Sequence, residues 1–293
     1  MRKTIKVPTL TRKVYKNKPL VSIIAIVSRC DFLQDLLESI FEQRSKRWEL
    51  ILLVNGFSGK EKKIVQGILD RYKTGEMKVY FHKRIGVGIA RKKLFRLAKC
   101  PYILPVDDDD MLVPTAVAEV IKCFRRHPGA AIVRAGKVYI DAYARYSNGF
   151  ARQASGINCH PLPRMQMYGM TMDVDNVFQL YCVNKSFLNK TEELKTYRDF
   201  SHMGEDLDLF LKLEELGDII WINKILYFKR LHKNNVLKKF SKEKLIQLEL
   251  RYIYNAIRRR KLKIKVASVE LLERLDVDGL RRPQHIFKYK MMA

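Results

Sequence analysis

A chain of 293 residues with 47% hydrophobic composition can bury one sizeable core, and none of its apolar runs reaches the roughly 20 residues that a membrane span needs. Five cysteines, Cys30, Cys100, Cys123, Cys159 and Cys182, are odd in number, widely spaced and free of any Cys-x-x-Cys pair. That argues against a disulfide framework or a thiolate zinc site and points to free thiols in a reducing cytoplasm. The formal net charge of +26 gathers at the ends: residues 1–18 hold seven Lys or Arg and no acid, and residues 229–293 hold nineteen against six Asp or Glu. Such ends are expected to meet an anionic surface, whether acidic lipid headgroups, an anionic polymer or nucleic acid.

Residues 1–18 lack apolar periodicity and read as a loose basic arm, with the ordered fold starting near Pro19. Leu20 to Val27 is a β-branched apolar run of the kind buried on both faces of a sheet, and it lacks the cleavage site of a secretion signal. Phe32, Leu33, Leu36, Leu37, Ile40 and Phe41 then recur at helical spacing, with Asp31 at the expected N-cap. Trp48 to Val54 is a second strand, Ile64 to Tyr72 a helix and Lys78 to His82 a third strand. Gly86-Val87-Gly88 opens a helix over Ala90 to Ala98, and Tyr102 to Val106 is a fourth strand. Strand and helix alternate four times, which predicts an α/β fold with a mostly parallel sheet whose ligands gather at the carboxyl ends of the strands. Residues 141–176, rich in Gly, Pro, Met and Tyr, read as an acceptor-facing loop region. Glu205 to Leu216 returns to helix, Ile219 to Phe228 reads as a strand pair or a bent strand, and Ser241 to Arg260 as an amphipathic helix with a cationic face.

Four stretches carry residues suited to chemistry. Asp107-Asp108-Asp109-Asp110 follows the fourth strand, and four adjacent carboxylates either stay in water as an acidic turn or hold a hard divalent cation such as Mg²⁺ or Mn²⁺. Their position at a strand's carboxyl end favours the cation. Gly204-Glu205-Asp206-Leu207-Asp208 precedes a helical apolar run, so Glu205 and Asp206 serve either as helix-terminal acids or as a general base. His232, in Arg230-Leu231-His232, is a structural histidine or a ligand suited to Mn²⁺. Gly86-x-Gly88 with Arg91 is a tight turn or a phosphate contact.

In order and spacing these stretches resemble the family 2 glycosyltransferases of the GT-A fold, over about residues 19–236. Val21-Ser22-Ile23-Ile24, the helix Phe32 through Gln43 and the strand Glu49 to Leu52 are similar to that family's first β-α-β unit. Ile89-Ala90-Arg91 resembles its Ala-Arg-Asn helix start, with Lys92 where Asn is usual. Val106 to Asp110 resembles its Asp-x-Asp element, and Gly204-Glu205-Asp206 its Glu-Asp motif. The resemblance implies that Asp109 binds Mn²⁺ or Mg²⁺ with His232 as a further contact, and that Asp107, Asp108, Asn55 and Arg91 meet a nucleotide-diphosphate sugar. It also implies that Asp206, beside Glu205, deprotonates an acceptor hydroxyl, so that one direct displacement inverts the anomeric centre.

Asn55 stands where that family usually has an aspartate, and Ser28-Arg29 where Tyr-Asn is usual. An amide both donates and accepts, so Asn55 leaves uracil, thymine, cytosine and guanine open. The polymerising members' Gln-x-x-Arg-Trp element is missing, which favours transfer of a single sugar onto a glycan or lipid-linked acceptor. The expected organisation is an arm over 1–18, a GT-A domain over 19–236 and a basic, mainly helical extension over 237–293, acting in the cytoplasm at the inner face of a membrane. Two other readings remain open here: a metal-dependent nucleotidyltransferase, and a non-enzymatic protein that binds nucleic acid through Arg258-Arg259-Arg260-Lys261.

Overall fold

The computed structural model describes residues 18–72, 74–140, 171–173, 180–191, 205–230, 232, 242–261, 265–275 and 281–292. The basic arm, apart from Lys18, and the acceptor-facing stretch 141–176, apart from 171–173, lie outside the described residues. The apolar runs form strands β1 (Val21–Val27), β2 (Trp48–Asn55), β3 (Met77–His82) and β4 (Tyr102–Pro105), joined by helices α1 (Leu33–Phe41), α2 (Gly59–Arg71) and α3 (Val87–Leu97). There follow β5 (Met111–Leu112), α4 (Ala116–Arg126), β6 (Ala130–Ile140), β7 (Thr171–Asp173), β8 (Tyr181–Asn184) and the short α5 (Lys185–Leu188). The rest is α6 (Glu205–Glu214), β9 (Asp218–Arg230), α7 (Lys242–Arg259), β10 (Lys265–Leu275) and β11 (Arg281–Met292).

Among the described residues, an eight-stranded sheet runs in the order β3-β2-β1-β4-β8-β6-β9-β5, with β8 and β5 antiparallel to the other six. All of β2 is buried, and so is β1 except for the half-buried Ile26, because helices cover both faces. Alternate side chains feed opposite cores. Ile23, Ala25, Leu50, Leu52 and Val54 pack with residues of α1 and α4, whereas Ile24, Ile51 and Leu53 pack with residues of α3 and α6. β7, β10 and β11 form a second, antiparallel sheet.

Some expectations are corrected. Asp31 is not the N-cap of α1; Phe32 takes that place without a side-chain bond. The α2 helix begins at Gly59 rather than Ile64, because its exposed first turn, Lys60 to Lys63, carries no apolar periodicity. The bent-strand reading of 219–228 holds: β9 is one strand, and its register against β6 shifts around Gly136. The C-terminal extension is helical in α7 and then turns to strand. Its sequence from Phe287 to Met291 alternates aromatic or apolar with basic residues, a period-2 signal rather than a helical one.

At the amino-terminal end of the sheet, buried Glu49 ties three strands together. Its carboxylate accepts from Ser22 Oγ at 2.6 Å, Lys78 Nζ at 2.7 Å and the Lys99 amide at 2.8 Å. Burial alone would raise its pKa, but the Lys78, Ser22 and Lys99 bonds together bring it down to about 2. A carboxylate depressed in the folded state adds stability above its unfolded value and loses it as the pH falls towards the folded one. The gap corresponds to about 3 kcal/mol, lost between roughly pH 5 and pH 2. Urea midpoints at pH 7 and pH 3.5 should therefore fall less in Glu49→Gln than in the native chain; equal falls would remove Glu49 as the cause.

Candidate active site

Because six strands of the main sheet share a direction, the ends of β1, β2, β3, β4 and β9 open on one edge. The four aspartates form the turn between β4 and β5. β5 then runs back along β9 with Met111 opposite Phe228 and Leu112 opposite Tyr227, which brings Tyr227, Lys229 and Arg230 alongside the acids. Their repulsion is relieved by a division of labour among them.

Asp110 is fully buried and serves as an anchor. It accepts from Tyr227 Oη at 2.7 Å, Lys229 Nζ at 3.0 Å and the Arg230 amide at 2.8 Å. Burial pushes its pKa up, Lys229 opposes the shift, and the charges of Asp109 and Asp107 add to it. Asp108 is bound to the loop after β1: Ser28 N, Ser28 Oγ and Arg29 N donate to one oxygen at 2.7, 2.9 and 3.1 Å, and Arg29 Nε meets the other at 3.1 Å. Burial lifts its pKa to about 6 against the pull of Arg29 and Ser28. Asp107 is the exposed member, paired with Lys229 at 3.1 Å. The buried cation Arg230 crosses beneath, donating to Asp35 at 2.7 Å and to the Asp109 carbonyl at 2.8 Å, with its guanidinium 4.6 Å from the Phe32 ring centre.

Asp109 sits in a triangle with Arg29 and His232. Arg29 Nη1 is 3.1 Å from Asp109 Oδ2 and 2.9 Å from His232 Nε2, and His232 Nε2 is 2.8 Å from Asp109 Oδ2. Burial would raise the Asp109 pKa, but the His232 bond, Lys229 and Arg29 hold it at about 2, so it stays ionised. Asp107, Asp109 and Asp110 each offer an oxygen, and the three oxygens lie within 4.8 Å of one another. Two cis ligands of an octahedral ion with bonds of about 2.1 Å stand about 3 Å apart. The separation of 2.8 Å between Asp109 Oδ2 and His232 Nε2 fits that spacing, and a carboxylate with an imidazole fits Mn²⁺ as a donor set.

Asp206 stands near the start of α6. Its Oδ1 meets Arg91 Nη1 at 2.9 Å and accepts from Tyr181 Oη at 3.0 Å, while Arg91 Nη1 also donates to Tyr181 Oη at 2.7 Å. Burial pushes the Asp206 pKa above the ordinary aspartate value; Arg91 opposes this, Asp107 reinforces it, and Tyr181 and Lys229 oppose it. Asp206 thus feels the charges of Asp107 and Lys229 although about a hundred residues separate the two motifs. Glu205 is the first residue of α6, and its side chain lies outside the described residues. Arg91, expected at the donor, pairs with Asp206 in this structure. Asn55 accepts from the Ile85 amide at 2.9 Å and donates to the Ile85 carbonyl at 3.0 Å, pinning the loop between β3 and α3 to the end of β2.

Sequence reading passed over Tyr181, Tyr227, Lys229 and the role of Arg29. Tyrosines within apolar strands signal a hydroxyl in need of a partner. Lys229-Arg230, at the end of a strand, is the obvious counter-charge to an acidic turn at a neighbouring strand end. The cationic run at the end of α7 is partly spoken for. Arg260 meets Glu214 at 2.8 Å and Glu215 at 2.9 Å, and Arg259 meets Glu215 at 3.0 Å. These two arginines brace α6, the helix that carries Asp206, rather than standing free for phosphates, whereas Arg258 and Lys261 remain exposed.

The family model "Glycosyl transferase family 2" matches residues 22–185, more than half of the chain. Over 258 residues the chain is 28% identical to a chondroitin synthase of Escherichia coli, covering 82% of this chain and 34% of that protein. Over 248 residues it is 23% identical to a hyaluronan synthase of Pasteurella multocida, covering 82% of this chain and 24% of that one. The chain therefore spans about a third or less of the length of these relatives. Among solved structures it resembles S. aureus TarS in complex with UDP-GlcNAc, with a TM-score of 0.56 and 13% identity over 76% of this chain and 61% of that one. It also resembles the mannosyltransferase PcManGT from Pyrobaculum calidifontis in complex with GDP-Man and Mn²⁺, with a TM-score of 0.53 and 14% identity over 78% and 62% of the two chains. With its motifs, its curled mostly parallel sheet and this match in hand, the chain belongs to glycosyl transferase family 2 and has the GT-A fold.

Proposed function

We propose that this glycosyltransferase moves a single sugar from a nucleotide-diphosphate donor to an acceptor hydroxyl, with inversion and with the help of a divalent ion. The observation that carries the reading is the pairing of two carboxylate sites: Asp206, held through Oδ1 by Arg91 at 2.9 Å and Tyr181 at 3.0 Å, and the acidic turn with Asp107, Asp109 and Asp110, whose Asp107 bears on the charge of Asp206. Family membership does not favour the nucleotidyltransferase and nucleic-acid readings.

In this reading Asp109 and His232 hold Mn²⁺ or Mg²⁺, and exposed Asp107 meets the donor. When bound, the ion offsets charge developing on the leaving nucleoside diphosphate. Asp108 is spent on the loop after β1, so its part is to hold that wall of the donor pocket. Asn55 shapes the base pocket by fixing the Ile85 loop. Asp206 takes the proton of the acceptor hydroxyl as that oxygen attacks the anomeric carbon; Arg91 and Tyr181 both engage Oδ1, which leaves Oδ2 to receive the proton. Glu205 stands beside it at the acceptor. The test is a panel of nucleotide sugars scored for release of nucleoside diphosphate with Mn²⁺ and with EDTA. Release from at least one donor that EDTA abolishes is expected; release unaffected by EDTA removes the ion from the account.

The names of the two synthases support a glycan as acceptor, in polysaccharide biosynthesis, and a lipid-linked glycan is the other acceptor in this reading. No helix of the described residues is long and apolar enough to cross a membrane. For work at the inner face of a membrane, α7 keeps Arg251 and Arg258 exposed. The chain should sediment with anionic vesicles at low salt and not with neutral ones; equal behaviour with both ends the membrane proposal.

A further inference from the structure

We propose that Arg29 is a built-in competitor of the divalent ion: in the donor-free enzyme its guanidinium lies against both Asp109 and His232, and it gives way when a diphosphate arrives. The inference rests on the reading of Asp109 and His232 as the ion-holding pair.

The geometry of the triangle carries it. An imidazole nitrogen either accepts through a lone pair or donates through N–H, never both. If His232 Nε2 accepts from Arg29 at 2.9 Å, its lone pair and those of Asp109 Oδ2 crowd together at 2.8 Å, bridged from one side by Arg29 Nη1. If it donates to Asp109, it meets Arg29 as donor against donor. In either state one of the three close approaches is unsatisfied as a hydrogen bond. Two acceptors 2.8 Å apart suit a cation that binds both, and Arg29 Nη1, 3.1 Å from Asp109 and 2.9 Å from His232, takes that part in the donor-free protein. The guanidinium also neutralises Asp108 through Nε, so its single charge is shared by two carboxylates. A divalent ion held by both groups displaces Nη1, and that end of the guanidinium, still tethered to Asp108 through Nε, is then open to an oxygen of the diphosphate. Ion and donor should therefore bind together, each weakly alone.

The loop survives loss of the guanidinium, because Ser28 N, Ser28 Oγ and the backbone amide at position 29 still donate to Asp108. The test measures Mn²⁺ affinity by calorimetry and by the electron-spin-resonance signal of free Mn²⁺, with and without pyrophosphate, a probe that offers a diphosphate without selecting a base. The native chain should bind Mn²⁺ weakly alone and more tightly with pyrophosphate. Arg29→Gln should bind Mn²⁺ alone roughly tenfold more tightly than the native chain, within the usual range of linked sites, and pyrophosphate should then add less. Affinity in Arg29→Gln equal to or weaker than native, with binding abolished in Asp109→Ala, overturns the competitor role while the ion site stands. If none of these proteins binds Mn²⁺ with or without pyrophosphate, the ion site itself fails and the inference falls with it. Should Arg29→Gln not fold by circular dichroism, Arg29→Lys takes its place. Its ammonium cannot fork across Asp108 and Asp109, so tighter Mn²⁺ binding than native is expected, and native or weaker binding overturns the proposal.

Discussion

Asp206→Asn should lower kcat by about 10²–10⁴, the usual contribution of a positioned general base, while donor affinity stays within about twofold of native. The amide keeps the shape of the side chain, and its oxygen still accepts from Arg91 and Tyr181, so neither the α6 start nor the donor side is disturbed. What it loses is the capacity to take a proton. The pH profile separates this from a packing defect. A base must be ionised to work, and burial lifts Asp206 above the ordinary aspartate value, so native kcat should fall as the pH drops through that raised pKa. That acid limb should vanish in the variant. A variant that retains more than about a third of native kcat, or keeps the same limb, takes the base role away from Asp206.

Asp109→Ala should cost about a thousandfold in kcat/KM, since the several kcal/mol that a metal contributes to a developing diphosphate charge would be lost with the ligand. Thermal melting reads the cause directly: nucleotide sugars should raise the native melting temperature more with Mn²⁺ than with EDTA, and the difference should disappear in the variant. The fold should tolerate the change, because Arg29 retains Asp108, and Asp110 retains Tyr227, Lys229 and the Arg230 amide. A persistent Mn²⁺-dependent shift in Asp109→Ala would assign the ion to other ligands.

The first half of the sheet was legible because β1 and β2 are covered on both faces and therefore spelled as unbroken apolar runs. The positions of the loops followed from that alone. The α4 helix was legible but passed over: Val117, Val120, Ile121 and Phe124 are buried at helical spacing. β8 is four residues long, too short for any period to speak. Within the acidic turn, sequence gave no means of telling the four carboxylates apart. Which of them anchors, which holds a loop and which stays exposed depends on the pairing of β5 with β9, a contact across more than a hundred residues. Asn55 and Arg91 were singled out by position, yet their partners, Ile85 and Asp206, come from loop and helix placements that no local pattern encodes.

The most direct measurement of the central claim needs no knowledge of the acceptor. A nucleotide sugar of α configuration that the enzyme consumes slowly with water as acceptor is followed by proton NMR from the first minutes. The account predicts that the β anomer of the free sugar appears first, ahead of mutarotation, and that Asp206→Asn slows its appearance. The α anomer appearing first, or a rate unchanged in Asp206→Asn, would contradict direct displacement with Asp206 as the base.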